Sequence, residues 1–572
     1  MKNSRERKMR KTSVSSWFKS GDPWIWLNAG AVAISVIMVI GLLLLIAVRG
    51  LGHFWPADII EARYELPSTT AYTIVAERVE SVDVPTSQLR EAGIDVGTEK
   101  QLMQRTLMKT GNRDIYGSDF RWVIDDYLVD IKRPEMLIAA ERREWGNFYG
   151  YIQSVKESGV AIAQTTDKTP TASALETWAA FEASIERALT IHEDIYQIEK
   201  HEIGTINHGL ERLRLKQRRY ELKDELTPAV QADIDTDRAV FDKEYEGLQQ
   251  QLIDLYGEIN RDTATFEAMD GSIVAINMAK MVRAYRPNAM NVLAKMGFYK
   301  DKLWEFLSDE PREANTEGGI FPAIFGTVMM VLLMTVLVTP FGVVAAVYLR
   351  EYATQGWATR IIRIAVNNLA GVPSIVYGVF GLGFFIYFMG SSIDQAFFPE
   401  ALPSPTFGTG GLMWASITLA LLTVPVVIVA TEEGLARIPL NVREGSLALG
   451  ATKAETLWHV VLPMASPAIM TGVILAVARA AGEVAPLMLV GVVKLAPSLP
   501  LDGNYPFIHL DQKFMHLGFH IYDVGFQSPN VEAARPLVYA TALLLVIVIA
   551  LLNLSAVTIR NHLREKYKSL EM

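Results

Sequence analysis

Two charged residues four apart, Arg479 and Glu483, lie in AVARAAGEVAPLM, inside an apolar run over 466–492. A charge within the hydrocarbon of a bilayer costs roughly 2.5–3.5 kcal/mol on insertion scales, so it is kept where it meets a partner or a water-filled path. The spacing predicts that both share one helical face, although Arg before Glu is the weaker order for such a pair. Ala476, Ala478, Ala480, Ala481 and Gly482 leave room beside them for another helix or a ligand. An arginine offers a planar, permanent charge to an oxyanion, which makes this face a candidate anion path. The plainer alternative is an ion pair that locks helices together. Asn367, Asn368, Ser374 and Tyr377 are polar residues of another apolar run, suited to touching a substrate or to hydrogen bonding between helices.

No GxxxxGK followed by Ser or Thr occurs, so the chain has no phosphate-cradling loop of that kind. With no cysteine and no nucleophile or metal-ligand constellation, the sequence points to no catalytic residue, no metal site and no cofactor. If ATP drives the protein, another polypeptide must hydrolyse it.

The elements that must hold the charged pair are apolar helices. A mean hydropathy of +0.19 conceals two regimes. From Arg49 to Glu317 there are 33 Lys and Arg against 47 Asp and Glu, whereas the rest of the chain is mildly basic and strongly apolar. The reading is an acidic insertion (49–317) between a first section (1–48) and a membrane core (318–572). The run Trp24–Val48 is long enough for a bilayer of ~30 Å and too long for a signal-peptide core. It follows a basic stretch with Lys2, Arg5, Arg7, Lys8, Arg10, Lys11 and Lys19. Five more spans are predicted at 321–348, 361–388, 412–431, 466–492 and 536–559. Arg350, Arg360, Arg363, Arg437, Arg443, Lys453, Arg560, Arg564, Lys566 and Lys568 fall on one side, and 390–411 lacks Lys and Arg. The positive-inside rule then puts both termini in the cytoplasm and the insertion outside. Nothing forms a basic face for nucleic acid.

Within the insertion, strands are predicted at Tyr72–Ala76, Phe120–Ile124 and Phe148–Val155 from apolar alternation. Trp178, Phe181, Ile185, Ala188, His192 and Ile195 step by three and four, as do Phe241, Tyr245, Leu248, Leu252, Leu255 and Ile259. Pro228 marks the turn between them, which predicts a helical hairpin with a coiled-coil seam in which His192 is a tolerated polar position. The 272–282 stretch returns to strand, and Asn288–Leu307 reads as an amphipathic helix.

Between the fourth and fifth of these core-flanking runs lies EGSLALGATKAETLWHVVLP, Glu444–Pro463. It predicts two short helices. Asn441 and Glu444 would cap the first, Thr452 and Glu455 the second. Gly450 would end the first in a left-handed turn, and Pro463 would close the second. Leu447, Leu449, Leu457, Val460 and Val461 make the loop apolar enough to dock on another surface.

This loop resembles the EAA loop of ABC-importer permeases on Glu444, Gly450, Val460, Leu462 and Pro463, with Gly445 and Ser446 in place of the pattern's alanines. RAAGEVAPL, NTEGGIFPAIFGT (Asn315–Thr327) and VNNLAGVPSIVYGVFG (Val366–Gly381) sharpen the resemblance to the PstA-type permease of phosphate importers, over residues 315–568. The resemblance implies an ABC-importer permease fold: an all-α polytopic protein of six transmembrane helices in the bacterial inner membrane, here carrying an α+β extracytoplasmic insertion. It implies that the loop couples to an ATPase present in two copies. It also implies a PstC-type permease partner, a periplasmic phosphate-binding protein and inorganic phosphate as the transported anion, with Arg479 and Glu483 on the phosphate path. A permease for sulfate or molybdate is the rival within this class. A membrane sensor with a coiled-coil input domain is the rival outside it, although the segment after Arg560 is short for an output domain.

Overall fold

The computed structural model describes residues 18, 20–67, 70–94, 96, 100–528 and 531–567. Most of the basic stretch before Trp24, and Lys568, lie outside the described residues. Among those described, six helices are long and apolar enough to cross a bilayer: Pro23–Gly52, Phe321–Tyr352, Ser374–Phe397, Leu412–Ala436, Lys453–Gly482 and Ala534–Lys566. They are called spans one to six below.

Span four is the hub. Trp414, Leu419, Leu422 and Val427 are fully or almost fully buried in one cluster with Met330 and Met334 of span two and Val473, Ala476 and Ala480 of span five. Span one is exposed along its length and packs on span six. There Gly50 permits backbone approach, since a Cβ would stand 2.9 Å from backbone atoms of Tyr539 and Ala540.

Two of the expected spans are bounded differently. The third begins at Ser374, not 361: Trp357–Leu369 is a separate amphipathic helix that ends ahead of Gly371 and Pro373. A residue before proline is pushed out of the helical region, so the chain breaks there, and Arg360 and Arg363 suit the preceding helix to a polar surface. The fifth span ends at Gly482, not 492, and the chain continues extended at Glu483 before a short turn of helix at Leu487–Val490.

The region between spans one and two is α+β. Eleven strands form its two main sheets: β1 (Ile59–Tyr64), β2 (Tyr72–Pro85), β3 (Leu102–Lys109), β4 (Phe120–Ile124), β5 (Leu128–Lys132), β6 (Ile138–Arg142), β7 (Phe148–Glu157), β8 (Val160–Gln164), β9 (Asp262–Glu267), β10 (Ile273–Asn277) and β11 (Met281–Tyr285). One antiparallel sheet runs β4-β3-β2-β1-β5, the other β10-β9-β7-β6-β11 with β8 on β7. The alternating runs therefore do form strands. Phe148 and Phe266 of the second sheet bury against Trp178 and Phe181 of the Ala172–Tyr196 helix.

The predicted hairpin is present. A π turn at Gln197–Glu202 joins Ala172–Tyr196 to Ile203–Leu222, and Pro228–Ile259 returns, with Pro228 at its first turn and Thr227 as its cap. Proline is tolerated there because that N–H has no partner within the helix. Trp178, Phe181, Ile185 and Ala188 bury in the core of the second sheet, while Tyr245 on the returning helix is exposed, so the two apolar stripes differ in what they cover. His192 is part-buried on the first helix, and burial lowers its pKa.

The hairpin lies across loops of the membrane core. Arg219 donates through Nε to Glu400 at 3.0 Å, Lys200 Nζ donates to the Pro497 carbonyl at 3.0 Å, and His208 Nε2 is 3.0 Å from the Tyr505 carbonyl oxygen.

Candidate functional site

The loop between spans four and five starts as a helix, Leu440–Ala448. Pro439 occupies its cap position, so Asn441 lies inside the first turn and caps nothing. The expected capping role fails because the proline, with φ −59° and ψ 143°, starts the helix two residues earlier. Gly450 has φ +90°, the left-handed conformation open to a residue without a Cβ. Its N–H donates to the Leu447 carbonyl at 3.0 Å, and that of Ala451 to the Ser446 carbonyl at 3.3 Å. The second helix opens on a complete capping box. Glu455 N–H donates to Thr452 Oγ1 at 3.3 Å, and Thr452 N–H donates to the Glu455 carboxylate at 2.7 Å.

Pro463 does not close that helix. Lys453–Thr456 passes through a π turn, Leu457–Val461, straight into Leu462–Gly482, with Pro463 at the start of the last segment. In a regular helix the proline ring would meet the carbonyl four residues back, and the wider turn just before it accommodates the ring. The second helix of the coupling-loop candidate is thus continuous with span five.

Its apolar residues divide into two sets. Leu457 and Val461 bury with Leu435, Ile438 and Ala465, fixing the loop to the core. Leu449 is 92% exposed, and Leu447 and Trp458 are exposed as well. Glu444 is also exposed, and Val460 and Leu462 are part-buried. Polar ties complete the fixation. Arg443 Nη1 meets Glu351 Oε1 at 2.6 Å and its Nη2 donates to the Leu435 carbonyl at 2.6 Å. Lys453 donates to the Glu351 carbonyl and stands 4.5 Å over the Tyr352 ring. Ser446 Oγ and Thr456 Oγ1, 2.9 Å apart, join the two short helices. Arg363 pairs with Glu432 at 3.2 Å beside them. Sequence reasoning missed Glu351 and Glu432. The signal for Glu351 was a lone acid in the LREY that ends span two.

Arg479 and Glu483 do come together, but not as two points on one helix face. Arg479 stands in the last turn of span five and Glu483 is its C-cap, with an extended backbone. Nε of Arg479 is 3.6 Å from Glu483 Oε1, and both side chains remain partly exposed. The small residues behave as expected: Ala476, Ala480 and Ala481 are fully buried behind the pair. Span three approaches closely where the helix breaks, since a Cβ on Gly378 would lie 2.7 Å from Pro486 Cα. Next to Gly378, the Tyr377 hydroxyl donates to the Leu369 carbonyl at 2.7 Å, within electrostatic reach of Arg479. Ser374 begins this segment, part-buried, one turn before Tyr377 and Gly378. Asn367 and Asn368 are exposed on the preceding amphipathic helix, outside the span to which the sequence had assigned them.

The sequence profile of the family described as binding-protein-dependent transport system inner membrane component matches residues 338–569. The chain is 37% identical over 247 residues to the phosphate transport system permease protein PstA 1 of Mycobacterium tuberculosis, covering 42% of this chain and 71% of that protein. It is 33% identical over 276 residues to PstA of Mycobacterium leprae, covering 47% and 81%. Over 209 residues it is 30% identical to the phosphate transport system permease protein PstC of Xylella fastidiosa, covering 35% and 64%.

Proposed function

Because the chain belongs to the family of binding-protein-dependent transport inner-membrane components, we propose that it is the PstA-type permease subunit of an ATP-driven importer of inorganic phosphate. The exposed two-helix loop continuous with span five carries this reading. A separate ATPase, in two copies, grips Leu447, Leu449 and Trp458. Glu444 and Gly450 shape the loop, while Val460, Leu462 and Pro463 pass its movement directly into the helix that bears Arg479. Phosphate as the cargo rests on the relatives named as phosphate permeases, and none of those reported is named for sulfate or molybdate. A PstC-type subunit completes the path, and a periplasmic phosphate-binding protein delivers the anion.

Two sets of long-range ties support the orientation. Arg443 and Lys453 tie the loop to the end of span two, whereas Arg219, Lys200 and His208 of the insertion reach the loops after spans three and five. Counting spans, the first set falls on the side of the basic loops, the cytoplasm, together with both termini. The second set and the insertion fall on the periplasmic side.

At the end of span five, Arg479 draws the anion and Glu483 acts as a latch, holding the guanidinium until helix movement frees it. Ser374 lies on the wall opposite, and Asn367 and Asn368 stand where the path opens beyond the Gly371–Pro373 break. The test is phosphate uptake, normalised to assembled complex, for Arg479→Gln, Glu483→Gln and the double variant. Loss of the arginine reduces uptake about tenfold or more, the factor given by ~1.4 kcal/mol of lost attraction, and the double variant does not recover it. A double variant that transports at the wild-type rate makes the pair structural and removes Arg479 from the path.

A further inference from the structure

A cavity of about 500 Å³ lies where the insertion meets the membrane, walled by β2, β3, β6, the Val292–Ser308 helix, the 312–318 turn and the facing ends of spans one and six. That volume suits a small-molecule ligand. Its wall is densely charged, yet almost every charge is answered within the protein. Lys302 pairs with Glu141 at 2.9 Å, Arg113 with Asp119 at 3.7 Å and with Glu313, and Arg312 with Glu305 at 2.5 Å. Arg78 pairs with Asp125 at 3.7 Å, and Arg49 and Arg535 share Glu80 at 3.9 Å each. Glu77 accepts a hydrogen bond from the Tyr149 hydroxyl at 2.8 Å. Two groups are left. Among the described residues, the side chains of Lys109 and Glu317 make no hydrogen bond and no ion pair within 4 Å, though both line the cavity and are part-buried. They feel one another: burial pushes the Glu317 carboxyl up, and the Lys109 charge offsets part of that, as it does for the buried Glu77 carboxyl.

One cation and one carboxylate, each without a hydrogen-bonded partner, facing one space and more than 4 Å apart, form a template for a ligand that carries both charges. A bare anion would find a single free cation among several carboxylates, and a bare cation the reverse. The mouth shows where such a ligand enters. It is rimmed by Val48 and Arg49 at the end of span one and by Pro536, Leu537 and Tyr539 near the start of span six, with Trp55 and Val79 exposed beside them. The β2–β3 register shifts between Arg78 and Glu80, which leaves Val79 out of the ladder and on the rim. The Arg49 guanidinium lies 5.6 Å from the Tyr539 ring centre. Tryptophan, tyrosine and arginine at the ends of spans are the residues of the headgroup level of a bilayer.

We propose that this cavity binds a zwitterion bearing a primary ammonium and a phosphate, supplied as the headgroup of a phosphatidylethanolamine-type lipid that enters between spans one and six. Lys109 takes the phosphate and Glu317 takes the ammonium, closing the one open pair of the wall. The acyl chains stay in the bilayer against Val48 and Pro536. The inference is independent of which anion the core transports.

The test is native mass spectrometry of the purified full-length chain, as assembled complex, after exchange into micelles doped with phosphatidylethanolamine, phosphatidylcholine or phosphatidylglycerol. The expected result is one retained phosphatidylethanolamine per chain and at least tenfold less of the other two. Phosphatidylcholine lacks an N–H for Glu317, and phosphatidylglycerol lacks the cation altogether. Lys109→Gln and Glu317→Gln each lower retention at least tenfold while the complex still assembles. If either fails to assemble, Ala57→Trp, which fills the cavity from another wall, must give the same loss. Equal retention of phosphatidylglycerol, or retention unchanged in all variants, overturns the proposal. A melting temperature raised by free phosphoethanolamine, with no lipid retained, keeps the zwitterion chemistry and overturns the lipid as its source.

Discussion

The Arg443–Glu351 pair makes the coupling reading quantitative. Both side chains are largely shielded, 17% and 10% exposed, and the bond between them joins the docking loop to the far end of span two. In Arg443→Met the Glu351 carboxylate loses its ion-pair partner, because Lys453 reaches only the Glu351 carbonyl. A stranded charge of this kind costs roughly 3–5 kcal/mol. At the lower end, ~3 kcal/mol corresponds to about a hundredfold shift in the ratio of fastened to unfastened loop. The exposed Leu447, Leu449 and Trp458 are untouched, so the ATPase still binds and still hydrolyses ATP. What falls is the number of anions moved per ATP, measured in proteoliposomes with the assembled complex. The double variant Arg443→Met, Glu351→Leu replaces the pair by apolar contact and removes the stranded charge, so it recovers part of the ratio. An Arg443→Met complex whose ratio stays within twofold of wild type, or a double variant no better than the singles, refutes the reasoning.

Gly450→Val places a β-branched residue at φ +90° in open space, so its cost is one of backbone conformation, about 1–2 kcal/mol; membrane insertion persists, uptake falls, and Gly450→Asn, which tolerates the left-handed region better, retains more. The insertion should also respond to acid. Burial raises the Asp114 carboxyl, but the Arg142 hydrogen bonds at 2.8 and 2.9 Å more than offset it and hold the pKa below the ordinary 3.8. The group thus contributes stability above that pH, lost as pH falls through the depressed value. Glu317, raised by burial, runs the other way: stability is lost as pH rises from its ordinary 4.5 through the higher folded value. The Asp114 contribution to melting of the full chain should therefore fall away as the pH drops below about 4, and the Arg142→Met variant should lose most of that fall.

What could be read from the sequence follows the range of the interaction that decides each feature. The capping box at Thr452 and Glu455 and the left-handed turn at Gly450 are settled within four residues, and both form as the spacing predicts. Strand alternation and the hairpin turn at Pro228 are similarly local. Pro463 misled because the rule that proline ends a helix presumes a regular helix before it, and the π turn at Leu457–Val461 removes that premise. Glu483 misled because apolar composition continues to 492 while the backbone turns at Gly482, where span three packs on Pro486. Out of reach entirely were the pairs joining distant segments: Arg219 with Glu400, 181 residues apart, and Arg443 with Glu351, 92 apart. No periodicity connects such positions, and only the packed spans bring them together.

Those two ties differ in a way that bears on transport. The Arg219 side chain at the insertion is 59% exposed while its partner Glu400 is only 5% exposed, so parting them returns the arginine to water but leaves a shielded carboxylate behind. The Arg443 bond is shielded and costly to break. A permease that alternates must open one end while force enters at the other. The tie with a solvent-facing arginine stands at the insertion end, and the one shielded on both sides fastens the loop between spans four and five to span two.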